Sequence, residues 1–160
     1  MINSINKNEQ IRQFLSSSKT IAMVGVSSIK KELSTNIKRR PSTIVMKYLQ
    51  EFGYRVIPVN PFSVGQKIFD ETIVAKLSDI KIPVDIVNVF RPSDQTPIIA
   101  KEAIKIGAKV FWLQYGIQNE EAKQIVEKEN ISYIANKCIK QEYQKLFLKV
   151  SPVFPALKNN

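Results

Sequence analysis

The stretch Thr20-Ile21-Ala22-Met23-Val24-Gly25-Val26-Ser27-Ser28 decides the fold class. Its apolar residues run on without alternating with polar ones. That is the mark of a strand covered on both faces, as in a parallel sheet, rather than one with a wet side. The same kind of run returns at Val56–Val59, Val84–Phe90, Val110–Leu113 and Ser132–Ala135, each followed by a polar or Gly/Pro break. A minor strand is expected near Lys67–Phe69. Amphipathic stretches fill the gaps, and short buried strands alternating with helices argue an α/β domain with a parallel sheet.

The helical stretches carry their own boundaries. Ile5–Leu15 sets Ile11, Phe14 and Leu15 on one face. Ser42 reads as an N-cap for a helix with Ile44, Val45, Tyr48, Leu49 and Phe52 inward, closed by Gly53. Thr96 followed by Pro97 reads as a cap and an N1 proline before Ile98–Ile106, which stops at Gly107. Asn119 precedes Glu120 and Glu121, acids in a first turn where the helix dipole favours them, and this helix runs to about Glu129. A last helix is expected over Ile139–Leu148. These assignments divide the chain into an N-terminal helix at 1–18, one domain at 19–148 and a C-terminal tail at 149–160 that contains two prolines.

Composition excludes several function classes. At 160 residues, 44% hydrophobic and 24% charged, the chain is long enough for one well-buried core. It has no histidine, which removes Ser-His-Asp and Cys-His triads and the common zinc sets. A lone cysteine, Cys138, cannot form an intrachain disulfide. No apolar run approaches the roughly 18–20 residues a membrane span needs, and Met1–Gln13 is too polar for a signal peptide. A reducing, cytoplasmic setting is expected. The net charge of +10 favours anionic partners, although most of the excess is lysine scattered along the chain.

Right-handed crossovers put all strand C-termini on one edge of the sheet, and ligands in such folds bind there, where the strand order reverses. The loops after Val26, Val59, Phe90 and Leu113 are therefore the candidate site, with the first and third at the reversal. Gly25-Val26-Ser27-Ser28 can let a ligand approach the backbone, with serine hydroxyls supplementing amide donors to a phosphate. It lacks the later glycines of Gly-x-Gly-x-x-Gly, and strand two ends in Asn60-Pro61 where a ribose-binding acid would stand. No P-loop and no nucleophile elbow is present. Lys30–Arg40 is basic, carrying Lys30, Lys31, Lys38, Arg39 and Arg40 against Glu32. Phe90-Arg91 ends a central strand with a guanidinium able to stack on a purine or pair with a phosphate. Gln114 and Gly116 end the next strand, while Trp112 reads as core.

Taken in order, these pieces resemble the small standalone CoA-binding-domain proteins of bacteria and the CoA-binding N-terminal domain of the succinyl-CoA ligase alpha subunit. The resemblance runs from about Lys19 to Leu146. It is carried by Ile21–Ser27, Arg40-Pro41-Ser42, Gly53–Pro61, Gly65–Ile68, Pro83–Arg91, Gly107–Lys109, Trp112–Ile117 and Lys137–Lys140. It implies a Rossmann-like, doubly wound, mainly parallel sheet of five to six strands in a single domain. It also implies coenzyme A or an acyl-CoA over the Gly25 loop. Gly25, Ser27 and Ser28 would then cradle the diphosphate, with Val26 in the same turn, and Arg40 and nearby lysines, next to Pro41 and Ser42, would offset its charge. Asn60 and Pro61 would border the nucleotide. Phe90, Arg91, Gln114 and Gly116 would shape the opposite wall, towards the pantetheine arm, and Ile117 follows them as a further binding residue. Cys138 would be either a small buried hydrophobe or a thiol able to exchange with that of CoA. Two departures stand out. The segment before Arg40 is longer and more basic than the family pattern, and Gln141, Glu142 and Tyr143 replace a frequent histidine after the cysteine.

No catalytic constellation is visible, so the expectation is a ligand-binding module for an anionic, nucleotide-type small molecule. The alternatives are an enzyme subunit or NAD(P)-type oxidoreductase using the same crevice and, third, a non-specific nucleic-acid-binding protein. Scarce arginine and the lack of a recognition motif weigh against specific nucleic-acid recognition, and no membrane contact is expected. Monomer and homodimer both remain open.

Overall fold

The computed structural model describes residues 6–27 and 41–148. Its centre is a five-stranded parallel sheet of β1 (Thr20–Val24), β2 (Arg55–Val59), β5 (Ile86–Val89), β6 (Val110–Leu113) and β7 (Ser132–Ile134), ordered β2-β1-β5-β6-β7. The minor strand lies apart from this sheet. Lys67–Ile68 (β3) pairs antiparallel with Glu71–Thr72 (β4) in a hairpin whose two turn residues, Phe69 and Asp70, both have positive φ.

The helices are α1 (Lys7–Ser17), α2 (Pro41–Glu51), α3 (Thr96–Lys105), α4 (Glu120–Lys128) and α5 (Ile139–Tyr143). The last continues as a π-helical turn over Gln144–Leu148. Asn6 and Asn119 are true N-caps, their side-chain oxygens accepting from Glu9 N and Ala122 N at 2.8 Å. Both cores are built by strand alternation. Ile21, Met23, Ile86, Val110 and Trp112 face α1, α2 and α5, while Ala22, Val24, Val87, Phe111 and Leu113 face α3 and α4. The domain is α/β and Rossmann-like, with helices on both faces.

Four local expectations need correction. Ser42 lies inside the first turn of α2 rather than capping it, and its Oγ is spent on Ser27. Ile44 and Phe52 are exposed, because the inward stripe of α2 is Val45, Met46 and Leu49. Thr96 caps nothing. A 3-10 turn, Ser93–Gln95, leads into α3, and the Thr96 hydroxyl donates back to Ser93 O at 2.7 Å. The third long strand starts at Ile86, because Asp85 turns its carboxylate to the amides of Lys19 and Thr20 at 2.8 and 3.1 Å.

The chain leaves β1 for β2 on one side and returns to β5 on the other. The reversal therefore falls between β1 and β5, and the Gly25 and Arg91 loops stand side by side over it.

Candidate functional site

β1 ends because Gly25 takes φ +97°, a conformation that L side chains rarely adopt. The turn also brings two stretches of the chain close together. A Cβ at Gly25 would lie 2.8 Å from Arg91 Cδ and 2.9 Å from the carbonyl oxygen of Phe90. The turn is braced from both neighbours. Gly25 N donates to Val59 O at 2.9 Å, Asn60 Nδ2 donates to Val26 O at 2.7 Å, and Ser27 N donates to Ser42 Oγ at 3.2 Å. The amides of Gly25 and Ser27 are thus already engaged within the protein.

Asn60 does more than border the site. Its Oδ1 accepts from Phe62 N at 2.9 Å, an Asx-turn that throws Pro61 and Phe62 outward over the sheet edge. A cleft of about 470 Å³ opens there. Its floor is Val24, Gly25 and Val59, and its walls are Asn60–Phe62, Ala75–Lys76, Arg91, and the α3 side with Gln95, Ile98, Ile99 and Glu102. Phe62 is 85% and Ile98 67% exposed, although both are large and apolar. Arg91 is half-buried, and its Nε donates to Gln95 Oε1 at 3.0 Å. Among the described residues, Lys76, Arg91 and Glu102 take part in no ion pair.

Of the residues nominated from sequence, this cleft gathers Gly25, Asn60, Pro61 and Arg91. Val26, Phe90 and Cys138 belong to the core on the other face, the side of α2 and α5, as do Ser42 and Ser27 through their mutual bond. Pro41 opens α2. Gln114, Gly116 and Ile117 lie further along the edge, past β6. Gly116 N donates to Asn136 Oδ1 at 2.6 Å, and Ile117 joins the core on the α3 and α4 side. Gln114 is buried, and its side-chain oxygen has no hydrogen-bond partner. The same holds for Asn88 Oδ1, on the same sheet face. Cys138 is half-buried. Trp112 is fully buried, its Nε1 donating to Lys137 O at 2.8 Å, which pins the loop carrying Cys138. Ser28, Arg40 and the lysines at 30, 31 and 38 lie outside the described residues, as do Arg39 and the tail.

Sequence reasoning missed Phe62, Lys76, Gln95, Ile98 and Glu102. One signal was available. Gln95, Ile98, Ile99 and Glu102 stand at the i, i+3, i+4, i+7 spacing of one helix face, so the side chains around Ile99 border whatever that face meets at the sheet edge.

Comparison with known proteins extends this geometry. A family model described as CoA binding domain matches residues 19–144. The chain belongs to the CoA binding domain family. A Bacillus subtilis (strain 168) protein designated YneT is 40% identical over 135 residues, covering 82% of this chain and 90% of that protein. Among solved structures, the cell-free ID.343 protein of Thermus thermophilus superposes with a TM-score of 0.79 at 36% identity, covering 89% of this chain and all of that one. A protein from Pyrococcus horikoshii OT3 gives a TM-score of 0.78 at 33% identity over 91% of this chain and 99% of its own. Membership of the CoA binding domain family supports CoA as the general ligand class. No helix among the described residues is long and apolar enough to cross a membrane.

Proposed function

We propose that this protein binds coenzyme A or an acyl-CoA, with the nucleotide in the Gly25–Arg91 cleft and the pantetheine arm running along the sheet edge past Phe90 towards Gln114. The observation that carries this reading is the cleft itself. It lies at the strand reversal, floored by a glycine that no larger residue can replace without striking Arg91 and Phe90. Its lining is mostly apolar, and its cations Arg91 and Lys76 have no carboxylate partner among the described residues. An apolar slot with a few convergent polar groups suits a base flanked by phosphates. At about 470 Å³ the cleft suits a nucleotide portion, leaving the arm to extend beyond it.

The dinucleotide alternative is less well supported. An NAD site of this kind uses an acid at the end of the second strand to hold the ribose hydroxyls. Here that position is Asn60, whose Nδ2 and Oδ1 are both committed to backbone partners. The binding role needs no nucleic acid or membrane, and a cytoplasmic protein with access to the CoA pool suits it.

The test is calorimetric melting with CoA, acetyl-CoA, NAD and NADP. Ligand at a hundredfold excess over its dissociation constant adds about 2.7 kcal/mol. That is a rise of roughly 5–10 °C for a domain of this size. CoA should give that shift and NAD much less. An equal or larger shift with NAD would overturn the reading in favour of an oxidoreductase.

A further inference from the structure

We propose that Glu102 reads the base of the bound nucleotide, its carboxylate accepting a hydrogen bond from the 6-amino group of an adenine. The proposal rests on the nucleotide reading above and names the residue that selects the base. Glu102 is half-buried in the α3 wall of the cleft. Among the described residues its side chain has neither an ion pair nor a hydrogen bond, although Arg91 and Lys76 line the same cleft. Its carboxylate is not among the buried unpartnered groups, so it is open to the cleft and free to accept a hydrogen bond from a ligand donor.

The order of groups along the wall fixes the ligand's direction. Gln95, Ile98, Ile99 and Glu102 follow the spacing that places side chains on one helix face. Gln95, at the start of α3, holds Arg91 beside Gly25, so this end is cationic. Glu102 stands two turns away, about 10 Å along the axis at 1.5 Å per residue. That is comparable with the span of a nucleotide from its phosphate to the far edge of its base. Between the two ends lie Ile98 and Ile99, an apolar surface suited to the face of a purine. A phosphate is drawn to the Arg91 end and repelled from Glu102, which leaves the base edge at the carboxylate. An ionised carboxylate only accepts hydrogen bonds. At position 6 adenine offers an amino donor, whereas hypoxanthine offers a carbonyl oxygen that the carboxylate repels and carries its donor at N1 instead, so a wild type that prefers inosine 5′-diphosphate would overturn a contact at position 6.

The experiment compares ADP with inosine 5′-diphosphate, and measures CoA alongside, by calorimetric titration of the wild type, Glu102→Gln and Glu102→Ala. Melting curves without ligand check that the variants fold. The wild type should prefer ADP by about tenfold, the worth of one charge-assisted hydrogen bond. Glu102→Gln should cut that preference below about threefold, because an amide can turn either its oxygen or its nitrogen to position 6. Glu102→Ala should lose affinity for ADP and CoA alike. A wild-type preference that survives in Glu102→Gln would overturn the proposal, as would equal weakening of both diphosphates in the variants, the sign of a ribose contact. So would CoA binding by a wild type that takes up neither diphosphate at millimolar concentration. If the wild type instead fails to bind CoA but discriminates ADP through Glu102, the base-reading role stands and the CoA reading falls.

Discussion

Gly25→Ala isolates the closest approach in the site. Two separate penalties act on the new methyl group. The backbone conformation at φ +97° is unfavourable for any L side chain, at about 1–2 kcal/mol. The Cβ would also meet Phe90 O at 2.9 Å and Arg91 Cδ at 2.8 Å. Arg91 can swing aside, but Phe90 O belongs to a backbone tied to β1 by Phe90 N donating to Val24 O at 2.8 Å. Relief therefore requires the β1 and β5 ends to part, an overpacking cost of about 1–3 kcal/mol. The sum, about 2–5 kcal/mol, corresponds to a fall in Tm of roughly 4–20 °C. Gly53→Ala is the internal control. It has nearly the same φ, +98°, but nothing lies within 4 Å of the point where its Cβ would stand, so it carries the conformational penalty alone. Scanning calorimetry of both variants, with CoA titration well below each Tm, separates the two penalties. Gly25→Ala should melt below Gly53→Ala and bind CoA at least tenfold more weakly, because Arg91 is displaced, while Gly53→Ala binds like wild type. Equal melting and unchanged CoA binding for the two alanine variants would refute the close-approach argument.

Arg91→Ala should weaken CoA binding by about 2 kcal/mol at both low and high salt, measured by calorimetric titration, because a partly desolvated guanidinium contact is poorly screened. Asp85→Ala should cost about 1–3 kcal/mol in urea unfolding, since it strips the amides of Lys19 and Thr20 of their acceptor at the opposite edge of the sheet. Burial pushes the Tyr54 hydroxyl, which donates to Leu15 O, far above its ordinary value of 10.0, with Tyr143 adding to the effect. The folded state thus holds its proton more tightly than the unfolded chain. The associated stability is complete below about pH 10 and is lost as pH rises beyond it. Tyr54→Phe should flatten the alkaline limb of a Tm-against-pH curve. Asp70→Gly should raise Tm by a degree or more, because both central residues of the β3–β4 turn hold positive φ, where glycine carries no Cβ penalty.

The sheet was legible because its strands are apolar on both faces, a pattern that owes nothing to the rest of the chain. Ile21 and Ala22 are both fully buried on opposite faces, and that is already written in their adjacency. Strand and helix ends were less legible wherever a side chain answered to a distant partner. Asp85 looks like the interior of a strand until Lys19 and Thr20 are beside it, and Ser42 looks like a cap until Ser27 takes its oxygen. The site divides in the same way. Gly25 and Arg91 could be named because they end central strands at the predicted reversal. Phe62, Lys76 and Glu102 could not, because their place depends on how far a loop and a helix lean over the edge.

The way the Gly25 turn is held bears on how a ligand would be received. Three elements fix it before any ligand arrives: β2 through Val59 O and Asn60, α2 through Ser42, and β5 through the packing of Phe90 and Arg91 against Gly25. A turn fixed this way loses little further freedom when a ligand settles on it, which favours affinity. The same bonds withdraw two amides that a free glycine-rich loop would offer to a phosphate. Charge neutralisation then falls to side chains, with Arg91 the one held in place by Gln95. This division of labour makes a definite statement about variants. Ser42→Ala frees the Ser27 amide and leaves Arg91 untouched. If the turn serves mainly as a rigid floor, CoA affinity should fall less than threefold in titration and Tm should drop by an amount typical of one lost hydrogen bond, about 2–4 °C. If instead the Ser27 amide is held in reserve for phosphate, Ser42→Ala should bind CoA more tightly than wild type, and the rigid-floor account would have to be given up.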